Sequence, residues 1–326
     1  HLSRELTQKL VPMKTRSGFT LEKAVASGVE HPDSSVGLYA GDAESYTLFK
    51  PLFVPVIREY HHTCLKSGHT SDFTGGDLSV PDPEGQYIRS TRIRVARNIS
   101  NFNFPCHISL DDRLALEKKA VHAFTALPSY LQGEYVSLEK TSQKQLKQFQ
   151  AEGLLFNRGD RFQQAGGFNR DFPRGRGIFL SCDRQFRVWV NEEDHLRIIS
   201  IETGSDLSGV FNRLKQGLTA LENELDFAWS NRYGFLASCP TNIGTSMRAG
   251  VHICLPNLET QPDRLRQIAD AHRLQIRGTS GEKTAVRDAV FDISNRQRLG
   301  ITETEIVRSL HAGIRALIHA EKEFSH

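Results

Sequence analysis

The sequence predicts an α+β protein in which a small all-α part precedes a larger part with an antiparallel sheet flanked by helices. Apolar residues recur at helical spacing before about residue 60. Beyond residue 86, short segments with period-two alternation are joined by turns of hairpin length, which favours antiparallel pairing. A stretch rich in Gly and Pro lies between the two parts, so we place the boundary there.

The predicted division is an all-α domain at residues 1–70, a linker at 71–85 and an α+β domain at 86–326. In the first domain, Thr20 is placed to cap one helix and Asp42 a longer one. Pro51 and Pro55 are expected to kink or interrupt that longer helix, because proline lacks the N–H that an interior helical turn needs.

The second domain alternates strand and helix signals. Residues 87–95 predict a strand with Arg92 and Arg94 on one face, because side chains alternate across a strand. A further strand is predicted at 186–190, and helices at 109–124, 207–225 and 262–274. The last helix opens with the capping box formed by Thr302 and Glu305.

Composition narrows the functional class. The 326 residues include 41 Lys and Arg against 38 Asp and Glu, a balance that argues against a nucleic-acid or membrane-surface partner. No apolar run is long enough for a membrane span. The five cysteines are odd in number, widely spaced and without a CxxC pair, which favours reduced thiols in the cytoplasm. The chain begins with His1 rather than Met, so removal of a leader stays open.

Residues 239–252 bring a cysteine, an arginine and a histidine around a predicted hairpin-like connection. Cys239 would lie at a strand end, with Arg248 and His252 beside glycines that let a ligand approach the backbone. These features favour an anion site. The alternative is that Cys239 is a small buried apolar side chain.

Other charged residues occur at predicted strand ends or loops, where sites are commonly built. The arginines are Arg92, Arg94, Arg197, Arg248 and Arg277, and the carboxylates are Glu192, Glu193, Asp194 and, on the Gly-rich loop at 278–284, Glu282. Each could instead be an ordinary solvated surface group. No G-x-G-x-x-G follows a strand and no H-E-x-x-H is present, so nucleotide binding would depend on arginines.

Five segments together resemble the phosphagen kinases, or ATP:guanido kinases, and within that family the arginine kinases. They are residues 239–245 (CPTNIGT), 188–197 (VWVNEEDHLR), 90–94 (STRIR), 277–279 (RGT) and 291–295 (FDISN). The resemblance covers nearly the whole chain from about residue 15. It implies a glutamine-synthetase-like catalytic domain and reversible transfer of the γ-phosphoryl group of MgATP to a guanidinium nitrogen, without direct protein ligands to Mg²⁺.

The resemblance also assigns roles. Glu193 and Glu282 would grip the guanidinium, and one of them would accept its proton. Cys239 would contact the substrate as a thiolate whose pKa is lowered by nearby positive charge. The five arginines would clamp the phosphates of ATP or ADP, with His252 and Asp292 completing the nucleotide site. Glu192 and Asp194 would reach Mg²⁺ through water.

Substrate choice is expected to depend on the loop at residues 34–39. By resemblance, backbone amides of Ser34, Ser35 and Val36 and the hydroxyl of Tyr39 would bind the substrate carboxylate. The short loop, with Tyr60 and Glu282, matches the pattern for arginine, and taurocyamine or lombricine is the alternative substrate. A catalytically silent relative is the alternative of another class. A monomer is expected.

Three departures from the family pattern are visible. Gly153 and Leu180 stand where histidines are common, so nucleotide binding is expected to be altered. The N-terminal domain is expected to be shortened, because the chain begins some tens of residues later than usual members.

Overall fold

The protein is described by a computed structural model covering residues 1–63, 68–279 and 285–323. The α-helices are α1 Arg4–Leu10, α2 Leu21–Glu30, α3 Ser45–Leu48, α4 Lys50–His61, α5 Leu110–Ala123, α6 Gln143–Ala151, α7 Arg161–Ala165, α8 Leu207–Glu222, α9 Pro256–Glu259, α10 Pro262–Ala271 and α11 Glu303–Lys322. The strands are β1 Ile88–Arg97, β2 Gly133–Ser137, β3 Gly177–Ser181, β4 Phe186–Val190, β5 Leu196–Thr203, β6 Trp229–Ser230, β7 Gly234–Phe235, β8 Met247–Cys254, β9 Leu274–Arg277 and β10 Val290–Asn295.

Eight strands form one antiparallel sheet in the order β2-β3-β4-β5-β1-β8-β10-β9. The apolar face of the central strands contributes Ile93, Val95 and Val251 to the main core, which also contains the apolar stripes of α8 and α11. The predicted α+β class is therefore confirmed. Because side chains alternate across each strand, the residues between these apolar positions lie on the opposite face.

Local capping follows the sequence signals. Thr20 accepts a hydrogen bond from the amide of Lys23 at the start of α2, and Thr302 and Glu305 form the predicted capping box of α11. The longer helix predicted after Asp42 is divided, with Pro51 in the first turn of α4 and Pro55 inside that helix. The interruption therefore occurs before Pro51, where a missing N–H costs no helical bond.

The hairpin predicted between residues 234 and 255 is wrong. β7 pairs with β6 in a separate two-stranded sheet, whereas β8 lies between β1 and β10 in the large sheet. Period-two alternation identified β8, but alternation carries no information on which strand is its partner.

The N-terminal helices have their own apolar core, which is completed by residues of the larger part such as Tyr233, Leu236 and Ile243. Tyr46 donates a hydrogen bond of 2.7 Å to the carbonyl of Ala237, and the amide of Ala40 donates one of 2.8 Å to the carbonyl of Ser238. These contacts fix the end of the predicted substrate loop beside the segment that contains Cys239. Among the described residues, no helix is both long and apolar enough to cross a bilayer.

Candidate active site

The polar face of the sheet is strongly basic at its centre. Arg94 on β1 lies directly opposite Arg248 on β8, and Arg92 lies opposite Gly250. Like charges placed opposite one another in a sheet are destabilising, so this pairing needs a compensating anion. Within the described residues, neither Arg92 nor Arg94 makes an ion pair. Contrary to the expectation of strand ends or loops, both lie inside a strand.

Burial disfavours the charged form of the arginines on this face. It lowers the pKa of Arg94 well below its usual value, and neighbouring Arg197, Arg92 and Arg248 lower it further. The pKa of Arg248 is lowered to about 10, mainly by burial, although Asp292 opposes the shift. Bound phosphate groups would relieve these shifts, because arginine pairs well with phosphate oxygens.

Three other predicted nucleotide residues lie at the same place. His252 is opposite Ser90 on β1 and Asp292 on β10, and Asp292 is opposite Arg277 on β9. Asp292 is 4% exposed and forms an ion pair of 2.6 Å with Arg248. A narrow pocket of about 30 Å³ is lined by Ser90, Arg92, Ile201, Arg248, Gly250, Val251, His252 and Asp292. The sheet register therefore gathers the predicted phosphate site, with Asp292 aligning Arg248.

The acidic turn between β4 and β5 divides its three carboxylates among different environments. Glu192 forms an ion pair of 3.0 Å with Arg197, which is 9% exposed and also contacts Glu193 at 3.3 Å. Asp194 is fully buried, where it accepts hydrogen bonds from the amide of Ser238 at 2.7 Å and from the side chain of Asn98 at 2.6 Å. The solvated-turn alternative does not describe this arrangement.

Glu193 is the carboxylate that remains poised for a cationic ligand. Its side chain is 17% exposed, and burial raises its pKa to about 7 although Arg197 opposes the shift. A raised pKa means that the charged carboxylate is held at a cost in the ligand-free protein. A guanidinium placed against Glu193 would recover part of this cost, which is a physical reason for cation binding.

Cys239 follows the two-stranded sheet and precedes a 3₁₀ turn at Pro240–Asn242. Its Sγ lies 3.1 Å from Oγ1 of Thr241. The prediction of a lowered pKa is wrong for the ligand-free protein: burial raises the pKa of the thiol to about 12, and the charge of Glu193 raises it further. The sequence places arginines near Cys239 in the chain, but the charged group that most affects its pKa in the folded protein is the carboxylate of Glu193.

The predicted substrate loop reaches the same region. Burial raises the pKa of Tyr39, and Cys239 and Glu193 add to the increase, so the phenol lies close to both. The ring of Tyr39 packs edge-on against Phe168 with centroids 4.7 Å apart. Of the three predicted loop amides, that of Ser34 already donates a hydrogen bond of 2.9 Å to the carbonyl of His31.

A wide cleft of about 780 Å³ opens beside the loop. It is lined by His1, Ser35, Val36, Val56, Glu59, Tyr60, His62, Gln275 and Arg296. The N-terminal helices and the β9 edge thus face each other across it. Glu282 and most of the Gly-rich loop lie outside the described residues.

The carboxylates on this face do not combine into a direct metal site. Within the described residues, no group of three or more His, Cys, Asp or Glu side chains could hold an ion. Glu192 is paired with Arg197, and the bonded oxygen of Asp194 faces protein donors. The water-mediated contact predicted for Asp194 therefore does not match its full burial, whereas the basic face suits a metal that arrives on the phosphates.

Three residues near Glu193 were not singled out as site residues from the sequence. Asn242 donates to Oε1 of Glu193 at 3.2 Å, and Gln163 on α7 donates to Oε2 at 3.4 Å. Arg298 donates to the carbonyl of Thr241 at 3.0 Å and to Oδ1 of Asn242. Asn242 belongs to the quoted CPTNIGT segment and could have been found there, but no local signal distinguishes Gln163 or Arg298.

Two family models match the chain. Residues 115–324 match the C-terminal catalytic domain of ATP:guanido phosphotransferases, and residues 1–58 match the N-terminal domain of the same proteins. The chain belongs to the ATP:guanido phosphotransferase family. It is thus a phosphotransferase, and the resemblance noted from the five sequence segments is confirmed.

Proteins of similar sequence include two arginine kinases. The chain is 43% identical to an arginine kinase of Anthopleura japonica, over 99% of this chain and 46% of that protein. It is 42% identical to an arginine kinase of Penaeus japonicus, over 99% of this chain and 92% of that protein. The chain thus spans about half the length of the first relative and most of the second.

Solved structures with the same fold include two kinases named for other guanidino compounds. A lombricine kinase structure superposes with a TM-score of 0.94 at 35% identity, covering 100% of this chain and 91% of that one. The duplicated taurocyamine kinase of Schistosoma mansoni, with bound transition-state analogue components, gives 0.92 at 33% identity, covering 98% of this chain and 45% of that one. The helical N-terminal part and antiparallel catalytic sheet are therefore the family's fold.

Proposed function

We propose that this ATP:guanido phosphotransferase is an arginine kinase, transferring the γ-phosphoryl group of MgATP reversibly to the guanidinium of L-arginine. The observation that carries the proposal is the placement of a basic sheet face next to the partly buried carboxylate of Glu193. That face is centred on Arg92 and Arg94, which make no ion pair within the described residues. One surface suits polyphosphate and the other suits a guanidinium. Relatives named arginine kinase support arginine as the acceptor.

In this proposal the basic face cancels phosphate charge. Arg92, Arg94 and Arg248 lie on adjacent strands β1 and β8, while Arg277 is on β9 and Arg197 on β5. Phosphoryl transfer depends mainly on in-line positioning and charge stabilisation. Rigid strands suit that requirement, because the donors are held in place before the reaction. Mg²⁺ enters as part of the nucleotide substrate.

The guanidinium is a poor nucleophile, because its pKa lies above about 12 and it has no free lone pair. Glu193 would align one edge of the group, and we propose that Glu282 would approach the other edge when the Gly-rich loop closes. One of these carboxylates accepts the proton as the new N–P bond forms and the bond between the γ-phosphorus and the β,γ-bridging oxygen breaks. Cys239 and Tyr39 then lie beside the substrate, the thiol as an orienting group.

Turnover with a panel of guanidino compounds tests the substrate. In a coupled assay of MgATP consumption we expect turnover with L-arginine and little with creatine, taurocyamine or lombricine. Turnover of taurocyamine or lombricine without turnover of arginine would overturn the choice of arginine, and those are the second candidates because such kinases share the fold.

A paired substitution tests the assignment of the carboxylate and the possibility of a silent relative. Glu193→Gln is expected to abolish nearly all turnover, because the neutral amide cannot hold the cation or accept a proton. Glu134→Gln, at an exposed position of β2, is the control and should leave turnover unchanged. Unchanged activity in Glu193→Gln would show that the site is misassigned.

We further propose that this protein works in a reducing compartment. The described cysteines, Cys106, Cys182, Cys239 and Cys254, are unpaired, which supports a reducing compartment such as the cytoplasm. We also propose a monomer with its domain division between residues 70 and 86, which size-exclusion chromatography with light scattering and limited proteolysis can check.

A further inference from the structure

The carboxylate of Glu193 already has three side-chain donors in the ligand-free protein. Arg197 and Gln163 both contact Oε2, at 3.3 and 3.4 Å, and Asn242 contacts Oε1 at 3.2 Å. A carboxylate offers about four acceptor positions, two on each oxygen. Both positions of Oε2 are therefore filled, and one position of Oε1 remains for a substrate N–H.

The orientation of the Asn242 amide is fixed independently of Glu193. Arg298 contacts Oδ1 of Asn242 and also donates to the carbonyl of Thr241. A guanidinium has donors only, so the amide oxygen must face Arg298 and the NH₂ group must face Glu193. The half-buried Arg298 thus fixes the orientation of the amide that donates to Oε1.

Among the residues that the structure describes, Gln163 is the one side-chain donor to Glu193 that lies outside both the β4–β5 hairpin at 186–203, which contains Arg197, and the Cys239 segment. It lies on α7, which begins after the N-cap Asp160. The same helix contacts the N-terminal part, because the ring of Phe162 packs edge-on against His31 with centroids 5.6 Å apart. Gln163 therefore connects Glu193 with the segment that leads into the substrate loop.

We infer that Gln163 is a positioning residue for Glu193: with Arg197 it occupies Oε2, so that Oε1 alone is presented to the guanidinium. This inference rests on the proposed function, because it concerns how the carboxylate meets a guanidino substrate. Without the amide of Gln163, Oε2 gains a free acceptor position. The guanidinium can then bind in a shifted register in which its attacking nitrogen is not aligned with the γ-phosphorus.

Steady-state kinetics of Gln163→Leu test this inference. Binding in a shifted, non-productive register lowers kcat and KM for the guanidino substrate together. We expect both to fall about three- to tenfold, the scale of one hydrogen bond of ordinary strength, while KM for MgATP stays unchanged. Gln163→Met, which keeps the length of the side chain without a donor, should behave alike and covers the case in which the leucine variant fails to fold.

The matched control is Gln164→Leu, since Gln164 is the exposed neighbour on the same helix. It should keep wild-type kcat and both KM values, with a melting temperature near that of Gln163→Leu. A rise in KM for the guanidino substrate at unchanged kcat would overturn the inference, because it would make Gln163 an ordinary binding group. Equal effects in both variants, or no effect in either, would also overturn it.

Different results would overturn the proposed function and the positioning role of Gln163. Wild-type turnover of a guanidino compound together with unchanged kinetics in Gln163→Leu overturns the inference alone. Absence of turnover in the wild-type protein with every guanidino compound overturns the proposed function, and the inference about Gln163 is overturned with it.

Discussion

At the scale of single residues, the thiol of Cys239 differs from its sequence-based prediction for a clear electrostatic reason. Positive residues are close to it in the chain, but the side chain is partly buried next to Glu193. Desolvation and a neighbouring negative charge both disfavour a thiolate. The neutral thiol is thus the resting form, and any thiolate would have to be created by the arrival of a cationic substrate.

Alkylation by iodoacetamide tests this resting state. Because burial raises the pKa of Cys239 to about 12, we expect its alkylation in the ligand-free protein to keep increasing with pH and to show no inflection below pH 9. Mass-spectrometric mapping can separate Cys239 from the exposed Cys182, which serves as the reactive reference. An inflection for Cys239 near pH 7 would contradict the assigned environment.

At the scale of elements, the turn that carries Glu193 is held partly by a buried arginine from outside the turn, in addition to its own hydrogen bond between Asn191 and His195. Arg176 is 2% exposed and donates to the carbonyls of Asn191, Phe168, Arg170 and Arg174 at 3.0, 2.6, 3.1 and 3.2 Å. Asn191 adopts a left-handed conformation with φ of 58°. Arg176 therefore joins the acidic turn to the segment behind Tyr39.

Replacement of Arg176 should be costly. Arg176→Met leaves several buried carbonyls without a donor, so we expect the free energy of unfolding to fall by about 3 kcal/mol. Urea denaturation measures the change. The control is Arg174→Met, because the Arg174 side chain is 50% exposed and its ion pair with Glu139 spans 3.5 Å. That variant should lose less than about 0.5 kcal/mol. Equal losses would show that Arg176 does not hold the turn.

At the scale of the whole molecule, the N-terminal helices and the edge of the large sheet border one cleft. The cleft of about 780 Å³ separates Val36 and Tyr60 on one side from Gln275 and Arg296 on the other. A reaction that must exclude water requires such a cleft to narrow.

Small-angle X-ray scattering can detect this closure. With MgADP, nitrate and the guanidino substrate together, we expect the radius of gyration to decrease, because nitrate can stand for the planar phosphoryl group between the two substrates. Glu193→Gln is the matched control and should remain open under the same conditions. An unchanged radius of gyration in the wild-type protein at saturating ligands would contradict a closing cleft.

The sequence by itself determined the fold class, most helix and strand positions and the family. It did so because capping boxes, period-two alternation and the CPTNIGT and NEEDHLR segments are local patterns that survive without knowledge of partners. The basic and acidic side chains of the site were likewise identifiable from the segments that contain them.

Only the tertiary structure decided how those side chains are paired. The placement of Arg94 opposite Arg248, the burial that raises the pKa of Cys239, and the contact of Gln163 with Glu193 all join distant parts of the chain. Strand register, desolvation and hydrogen-bond partners depend on which segments meet in space, and no local pattern specifies that meeting.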